Sequence, residues 1–351
     1  MIDKLCYLDE PAVLDGLDCT VHETYEFGEA GSAVHVGATP GGFRQLRADD
    51  RVNRVEENLL VRVPYEPAFV NEEKSSLATI EDIRQVHSIP RNGSTGDGVT
   101  VVVLDSGVDP SHPVFDETAM REVDVTEEGG GDAIGHGTAV CGQLARLAPN
   151  ADLVSLRIFG QRGRTRTDTV LRAYEWLHKN RSAYDVVVMS WGTERRSPAL
   201  DRIHEHLLDA GIRDVVAAGS SAARNGSPAT AKRTLSVGAC TMDSERASFS
   251  ATTPGRDNPD VLAIGVDARL AQAGRTKMGI DLAGQWVKAS GTSVAAPTVA
   301  GLAARYLERF PEATPETLKR DFEAATTAKT EGGAGVIDYR ETVAQAIRRA
   351  G

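Results

Sequence analysis

Ala289-Ser290-Gly291-Thr292-Ser293-Val294-Ala295-Ala296-Pro297 is the stretch on which the reading of this chain turns. Its Ala- and Val-rich end predicts a buried helix, while Gly, Ser and Thr crowd the start. A buried helix needs such small residues only where something must approach the backbone closely. Helix N-termini carry unpaired N–H groups and a partial positive charge, so Ser293 would sit beside ready-made stabilisation for an oxyanion. Taken alone, the stretch offers a candidate nucleophile and no more.

Two upstream segments turn it into a constellation. Gly98-Val99-Thr100-Val101-Val102-Val103-Leu104-Asp105-Ser106-Gly107 is a continuous apolar, β-branched run, the pattern of a strand buried on both faces. It ends in a carboxylate, where a parallel sheet presents its functional groups. By itself, Asp105 reads as readily as the cap of a turn. Gly135-His136-Gly137-Thr138-Ala139-Val140-Cys141-Gly142 sets a histidine between glycines, which leave its ring unshielded, and small apolar residues run on to Leu147 as a buried helix. A lone histidine in a Gly-rich turn would be unremarked. Together the segments give Asp, His and Ser in chain order, each at an element end beside glycine.

The pieces LDSG, GHGT and GTSVAAP resemble the three signatures of the subtilisin family (subtilases), serine endopeptidases whose triad follows this order. The resemblance runs from about Thr79 to the C-terminus. It takes in 185–192 (DVVVMSWG), 215–219 (VVAAG), 247–250 (ASFS) and 333–338 (GAGVID). It implies an α/β fold, a mostly parallel sheet with helices on both faces. It implies that Ser293 attacks the scissile carbonyl, that His136 takes and returns the proton, and that Asp105 orients the imidazole. Ser190, Trp191 and Gly192 would form one wall of the substrate site, and Ala217, Ala218 and Gly219 the other. Neither wall carries an acidic residue, so a basic residue before the cut is not favoured. Trp191 is bulky for its place, and either narrows the pocket or packs outward.

One position departs from the family. An asparagine normally follows the Ala-Ala-Gly wall and donates its amide to the oxyanion; here Ser220 follows it. Removing that asparagine from a subtilisin costs about 10²–10³ in kcat. The Ser293 backbone N–H remains as a donor, and Asn225 is read as serving the Asn225-Gly226 turn. Two function classes therefore stand: a peptidase acting through an acyl-enzyme, and a catalytically weak subtilase fold that binds protein.

Bulk properties suit a soluble globular enzyme: 351 residues, 41% hydrophobic and 25% charged. No apolar run approaches the ~18 residues of a membrane span. The first ten residues have neither a basic nor an apolar signal region, so the expectation is a cytoplasmic monomer. Residues 1–75 hold 15 Asp and Glu against 7 Lys and Arg, and so carry −8 of the chain's −11 charge. No basic stripe suggests nucleic acid. The expected partners are polypeptide substrates and the chain's own N-terminal region. Cys141 and Cys240 are read as buried core thiols, without a disulfide. No spacing suggests zinc, and no cofactor is expected. The Asn-rich insertion that binds calcium in many relatives has no counterpart in 142–150. The acidic stretch 124–132 leaves a weak calcium site open without identifying one.

Residues 1–75 are read as a propeptide-like domain with its linker, and 76–351 as the catalytic domain. Residues 45–58 resemble the end of the subtilase inhibitor-type propeptide, a small α+β domain in which a helix is followed by an edge strand, here 59–63. The polar, Pro-containing 64–76 reads as a linker where self-cleavage would fall, with Phe69-Val70 its bulkiest apolar pair. Strands are expected over 99–104, 153–158, 186–189, 215–218 and 234–240, and helices over 136–147, 168–178 and 199–209, the second capped by Thr167-Asp168. Thr314-Pro315 predicts another helix start. Arg162, Arg164 and Arg166 are expected to be a solvated loop, or to meet acidic residues of a substrate or of the N-terminal domain.

Overall fold

The computed structural model describes residues 2–9, 14–63, 76–221, 226–252, 258–274, 276–327 and 334–350. The N-terminal portion contains β1 (Ile2–Leu8), β2 (Cys19–Glu26), β3 (Ser32–Ala38), α1 (Pro40–Ala48), β4 (Arg54–Glu57) and β5 (Leu60–Arg62). Four of these strands form an antiparallel sheet in the order β2-β3-β1-β4. Leu5, Tyr7, Tyr25 and Ala33 cluster with residues of the main domain, while Cys6, Leu8, Val34 and Val36 join Phe43 and Leu46 of α1 in a cluster of their own. Both faces of the sheet are therefore covered along the second half of β1 and along β3, while the edge strand β2 stays largely exposed.

The main domain follows as α2 (Ile80–Val86), β6 (Thr100–Asp105), β7 (Met120–Asp124), α3 (His136–Leu147), β8 (Asp152–Arg157), β9 (Arg164–Arg166), α4 (Thr167–Lys179), β10 (Val186–Met189), α5 (Pro198–Asp209), β11 (Arg213–Ala217), β12 (Ser236–Cys240), β13 (Val261–Ile264), β14 (Ala268–Ala271), β15 (Ile280–Leu282), β16 (Trp286–Ala289), α6 (Thr292–Arg309), α7 (Pro315–Ala324), β17 (Thr326–Thr327), β18 (Gly335–Ile337) and α8 (Tyr339–Ala350). Its sheet has nine strands in the order β17-β18-β13-β12-β11-β10-β6-β8-β7. All neighbours pair in parallel except β17 with β18. The alternation read from the sequence thus becomes a mostly parallel sheet wrapped by helices, the expected fold class. β14, β16 and β15 form a separate antiparallel layer.

The C-terminal end of α3 is fastened from outside. Arg84 of α2 donates to the carbonyl of Arg146 (2.9 Å) and Arg305 of α6 to that of Leu147 (2.6 Å), so two guanidinium groups satisfy C-terminal carbonyls and oppose the helix dipole. His87, the residue that ends α2, is fully buried: Nε2 accepts from the Ile264 N–H (3.1 Å) and Nδ1 lies 2.9 Å from the Ile337 carbonyl. A backbone N–H can only donate, so Nε2 carries the lone pair and Nδ1 the proton. The imidazole is fixed as one neutral tautomer, clipping α2 to β13 and β18.

Two local expectations are corrected. The strand expected at the edge of the N-terminal sheet does not join that sheet. β5 leaves it and pairs antiparallel with β9 of the main domain, Leu60 opposite Arg166 and Arg62 opposite Arg164, and Val61 bridges to Thr193. The Val63 N–H continues the ladder to the Gly163 carbonyl (3.0 Å). Nor do Thr167 and Asp168 cap α4 from outside, because β9 runs directly into the helix and Thr167 is its first residue. The Thr167 hydroxyl is spent on Leu59, 3.0 Å from its N–H.

The N-terminal domain is also tied down through polar contacts. The Glu56 carboxylate sits at the start of α5, bonded to the Ser197 hydroxyl and 3.3 Å from the Ala199 N–H, where the helix dipole favours an anion. Glu23 pairs with Arg172 (2.5 and 2.9 Å), Asp9 with Arg202 (2.8 Å) and Glu57 with Arg195.

Candidate active site

Asp105 ends β6 and His136 opens α3. Imidazole Nδ1 lies 2.7 Å from Asp105 Oδ1, which also accepts the Ser106 N–H at 2.8 Å. The two segments meet this closely because residue 137 has no side chain: a Cβ there would lie 2.0 Å from the Gly107 carbonyl oxygen. Burial disfavours the His136 imidazolium, but the charge and hydrogen bond of Asp105, with the charge of Asp132 behind them, outweigh it and raise its pKa.

Ser293 is the second residue of α6, so its N–H is among those the helix leaves without a partner. It lines one small crevice with His136, Leu270, Met278 and Val294. No hydrogen bond joins its hydroxyl to the imidazole. Gly291 keeps the space before the serine open: a Cβ there would lie 3.1 Å from Ser293 Oγ and 3.5 Å from Ser220 Oγ. Ser220 therefore faces the same small volume as Ser293.

Ser220 is coupled to Thr292, which sequence reasoning had not singled out. Ser220 Oγ accepts the Thr292 N–H (3.0 Å), Thr292 Oγ1 accepts the Gly219 N–H (3.0 Å), and the two oxygens are 3.3 Å apart. One hydroxyl donates to the other, and whichever accepts then has both lone pairs used. Exactly one hydroxyl proton of the pair is left over. Asn225, the other donor considered, lies outside the described residues.

The two expected walls rise from neighbouring strands. Ser190, Trp191 and Gly192 follow β10, and Ala217, Ala218 and Gly219 close and follow β11. Trp191 does not pack outward. It is 1% exposed, meets Phe159 edge to face (6.4 Å between centroids) and shares an apolar cluster with Val61 of β5. The Arg-rich stretch is a solvated loop only in part: Arg162 lies exposed in a turn, and Arg164 and Arg166 are exposed on a strand. Arg164 and Arg166 lie in β9, whose backbone carries the β5 pairing, and Arg166 Nη1 donates to the Asn58 carbonyl (3.0 Å). The Phe69-Val70 pair lies outside the described residues.

Among the described residues, no group of three or more His, Cys, Asp or Glu is disposed to hold a metal, the 124–132 stretch included. No helix among them is long and apolar enough to cross a membrane. All four cysteines are free, and burial raises the pKa of Cys141 and Cys240.

Residues 96–338 match the model of the subtilase family, Peptidase S8. The thermostable alkaline protease of Halalkalibacterium halodurans is 28% identical over 317 residues, covering 86% of this chain and 80% of that protein. Subtilisin E of Bacillus subtilis is 31% identical over 250 residues, 67% of this chain and 62% of its own length. A crystal structure of a cold-adapted subtilisin-like serine proteinase superposes with a TM-score of 0.60 at 29% identity, over 72% of this chain and 89% of that one. With the family model spanning well over half of its length, this chain belongs to the subtilase family of serine proteases.

Proposed function

We propose that the protein is an endopeptidase in which Asp105, His136 and Ser293 form the catalytic triad. The observation that carries this is the 2.7 Å Asp105–His136 bond beside a serine at a helix N-terminus. With Nδ1 engaged by Asp105, Nε2 is the nitrogen left to take the Ser293 proton as the hydroxyl attacks the scissile carbonyl. The imidazolium so formed is stabilised by Asp105 and returns the proton to the leaving amine; water then repeats the sequence on the acyl-enzyme. The oxyanion would be met by the Ser293 N–H, held in place by the helix, and by the free proton of the Ser220–Thr292 pair when Ser220 carries it. An extended polypeptide would bind as a strand between 164–166 and 192–193, the place β5 occupies, with its P1 side chain between the Ser190–Gly192 and Ala217–Gly219 walls.

Residues 1–75 would then be an intramolecular inhibitor with its linker, and 76–351 the catalytic domain. β5 supports this, because it sits in the groove as a substrate would. The binding-module reading keeps two supporting observations: Ser293 has no hydrogen bond to the imidazole, and a serine stands where relatives carry an amide donor.

One experiment separates the two readings. Wild type and Ser293→Ala are expressed in parallel, and their intact masses and hydrolysis of a denatured protein are followed with time. The expected result is that only wild type loses an N-terminal fragment ending within 64–75 and hydrolyses the added protein. Wild type that stays full length and leaves the added protein intact refutes the peptidase reading.

A further inference from the structure

We infer that Asp132 is a positioning residue of this catalytic centre, a carboxylate that holds the Asp105 loop and the His136 helix in one register. The inference rests on the triad proposed above. Asp132 lies four residues before His136, in a stretch whose acidity had suggested only a cation site.

Its two oxygens take five donors. Oδ1 accepts the Ser106 hydroxyl (2.9 Å) and the N–H groups of Ile134 (3.0 Å) and Gly135 (2.7 Å). Oδ2 accepts the N–H (2.9 Å) and hydroxyl (2.7 Å) of Thr138. Both hydroxyls lead on. Ser106, whose N–H bonds Asp105 Oδ1, accepts the Gly137 N–H at its own oxygen (2.9 Å). Thr138 Oγ1 accepts the Asp109 N–H (2.9 Å). A closed circuit of hydrogen bonds therefore runs from the Asp105 loop through Asp132 to the first turn of α3 and back. An acceptor with two oxygens is what this circuit needs, because every partner donates.

The same carboxylate acts on the imidazole by charge. The groups facing His136 are Asp105 from the end of β6 and Asp132 from the loop before α3. Cys141, on the next turn of α3, has its pKa raised by burial and by those two carboxylates, so the thiol stays neutral. Arg157, opposite Asp105 in the sheet, lies 3.8 Å from Asp124. Removing the Asp132 charge should therefore make His136 harder to protonate, whereas breaking the circuit at Ser106, which leaves that charge in place, should not.

The test uses the full chain and two variants. Asp132→Asn keeps the shape, removes the charge and turns an acceptor into a donor. Ser106→Ala breaks the circuit and leaves every charge in place. Expected for Asp132→Asn is a kcat loss of up to about 10²-fold with KM little changed, and an acid limb of the pH–rate profile at lower pH. Ser106→Ala should lower kcat without moving that limb. NMR titration of His136 in the Ser293→Ala background reads the charge effect without turnover, and its midpoint should fall on adding Asp132→Asn. Unchanged midpoints, or kcat per active site equal to wild type in both variants, overturn the inference. If Asp132→Asn does not fold, Ser106→Ala with wild-type kcat overturns it alone. An inactive wild type whose His136 midpoint still falls with Asp132→Asn rejects the peptidase reading and keeps the charge coupling of Asp132 to His136.

Discussion

Acid should unfasten this protein at His87. Burial, against the opposing hydrogen bond to Ile337 and the charge of Asp338, lowers its pKa to about 4 from 6.5. Protonating Nε2 would set an N–H against the Ile264 N–H at a fully buried position. The native state thus favours the neutral ring, so its contribution is fully present above pH 6.5 and is lost as pH falls from there to about 4. A shift of that size, at about 1.4 kcal/mol per pH unit, corresponds to roughly 3 kcal/mol. Urea unfolding of Ser293→Ala, chosen to prevent self-digestion, is measured between pH 7 and pH 4 with and without His87→Gln. The His87 protein should lose about 3 kcal/mol more than the Gln variant over that window. If the difference between the two stays flat with pH, the buried neutral clip is refuted.

Other outcomes can be read more briefly. Ser220→Ala should lower kcat by up to about 10²-fold with little change in KM, while Ser220→Asn should raise it; steady-state kinetics on a peptide substrate decide, and an indifferent Ser220→Ala removes that hydroxyl from the oxyanion site. Because Asp105 raises the His136 pKa, the acid limb of kcat/KM should lie above the ordinary histidine value, and a limb below it contradicts the 2.7 Å pair. Val61→Asp would put a charge into a fully buried place beside β9; in the Ser293→Ala background, hydrogen exchange at Val63 should speed up and the α2 amides should keep their protection. Gly137→Ala meets the Gly107 carbonyl and should cost about 1–3 kcal/mol or more, seen as a lower melting temperature.

The elements that carry the triad candidates were legible because each sits where a strong local pattern stops. A β-branched run ends at Asp105, glycines bracket His136, and an Ala-rich run begins after Ser293. Thr314 and Pro315 likewise open α7 as their order predicts, the Thr314 hydroxyl accepting the Thr317 N–H at 3.2 Å. What escaped depends on distant partners. Nothing within Leu60-Val61-Arg62 says that its strand will pair with residues a hundred positions on, since an edge strand's register is set by whichever edge it meets. Thr167 looked like a cap because its hydroxyl suits one, and only the fold reveals the competing claim of Leu59. Asp132 draws its donors from Ser106 and from the turn before α3, so no periodicity could mark it. Thr292 was hidden by the serine beside it.

If the place between β9 and Thr193 is the substrate groove, as proposed, β5 occupies it as part of the same chain, and its occupancy follows local rather than bulk concentration. A segment joined to its site through the same chain is presented there at an effective concentration of the order of millimolar. While the connection is whole, a free polypeptide must compete against that, and diluting the protein changes nothing. Once the chain is cut between β5 and α2, the same contacts hold a separate molecule, and its departure depends on how dilute the solution is. A single broken peptide bond would then change the law governing access to the cleft from first order to second, with no contact in the cleft altered.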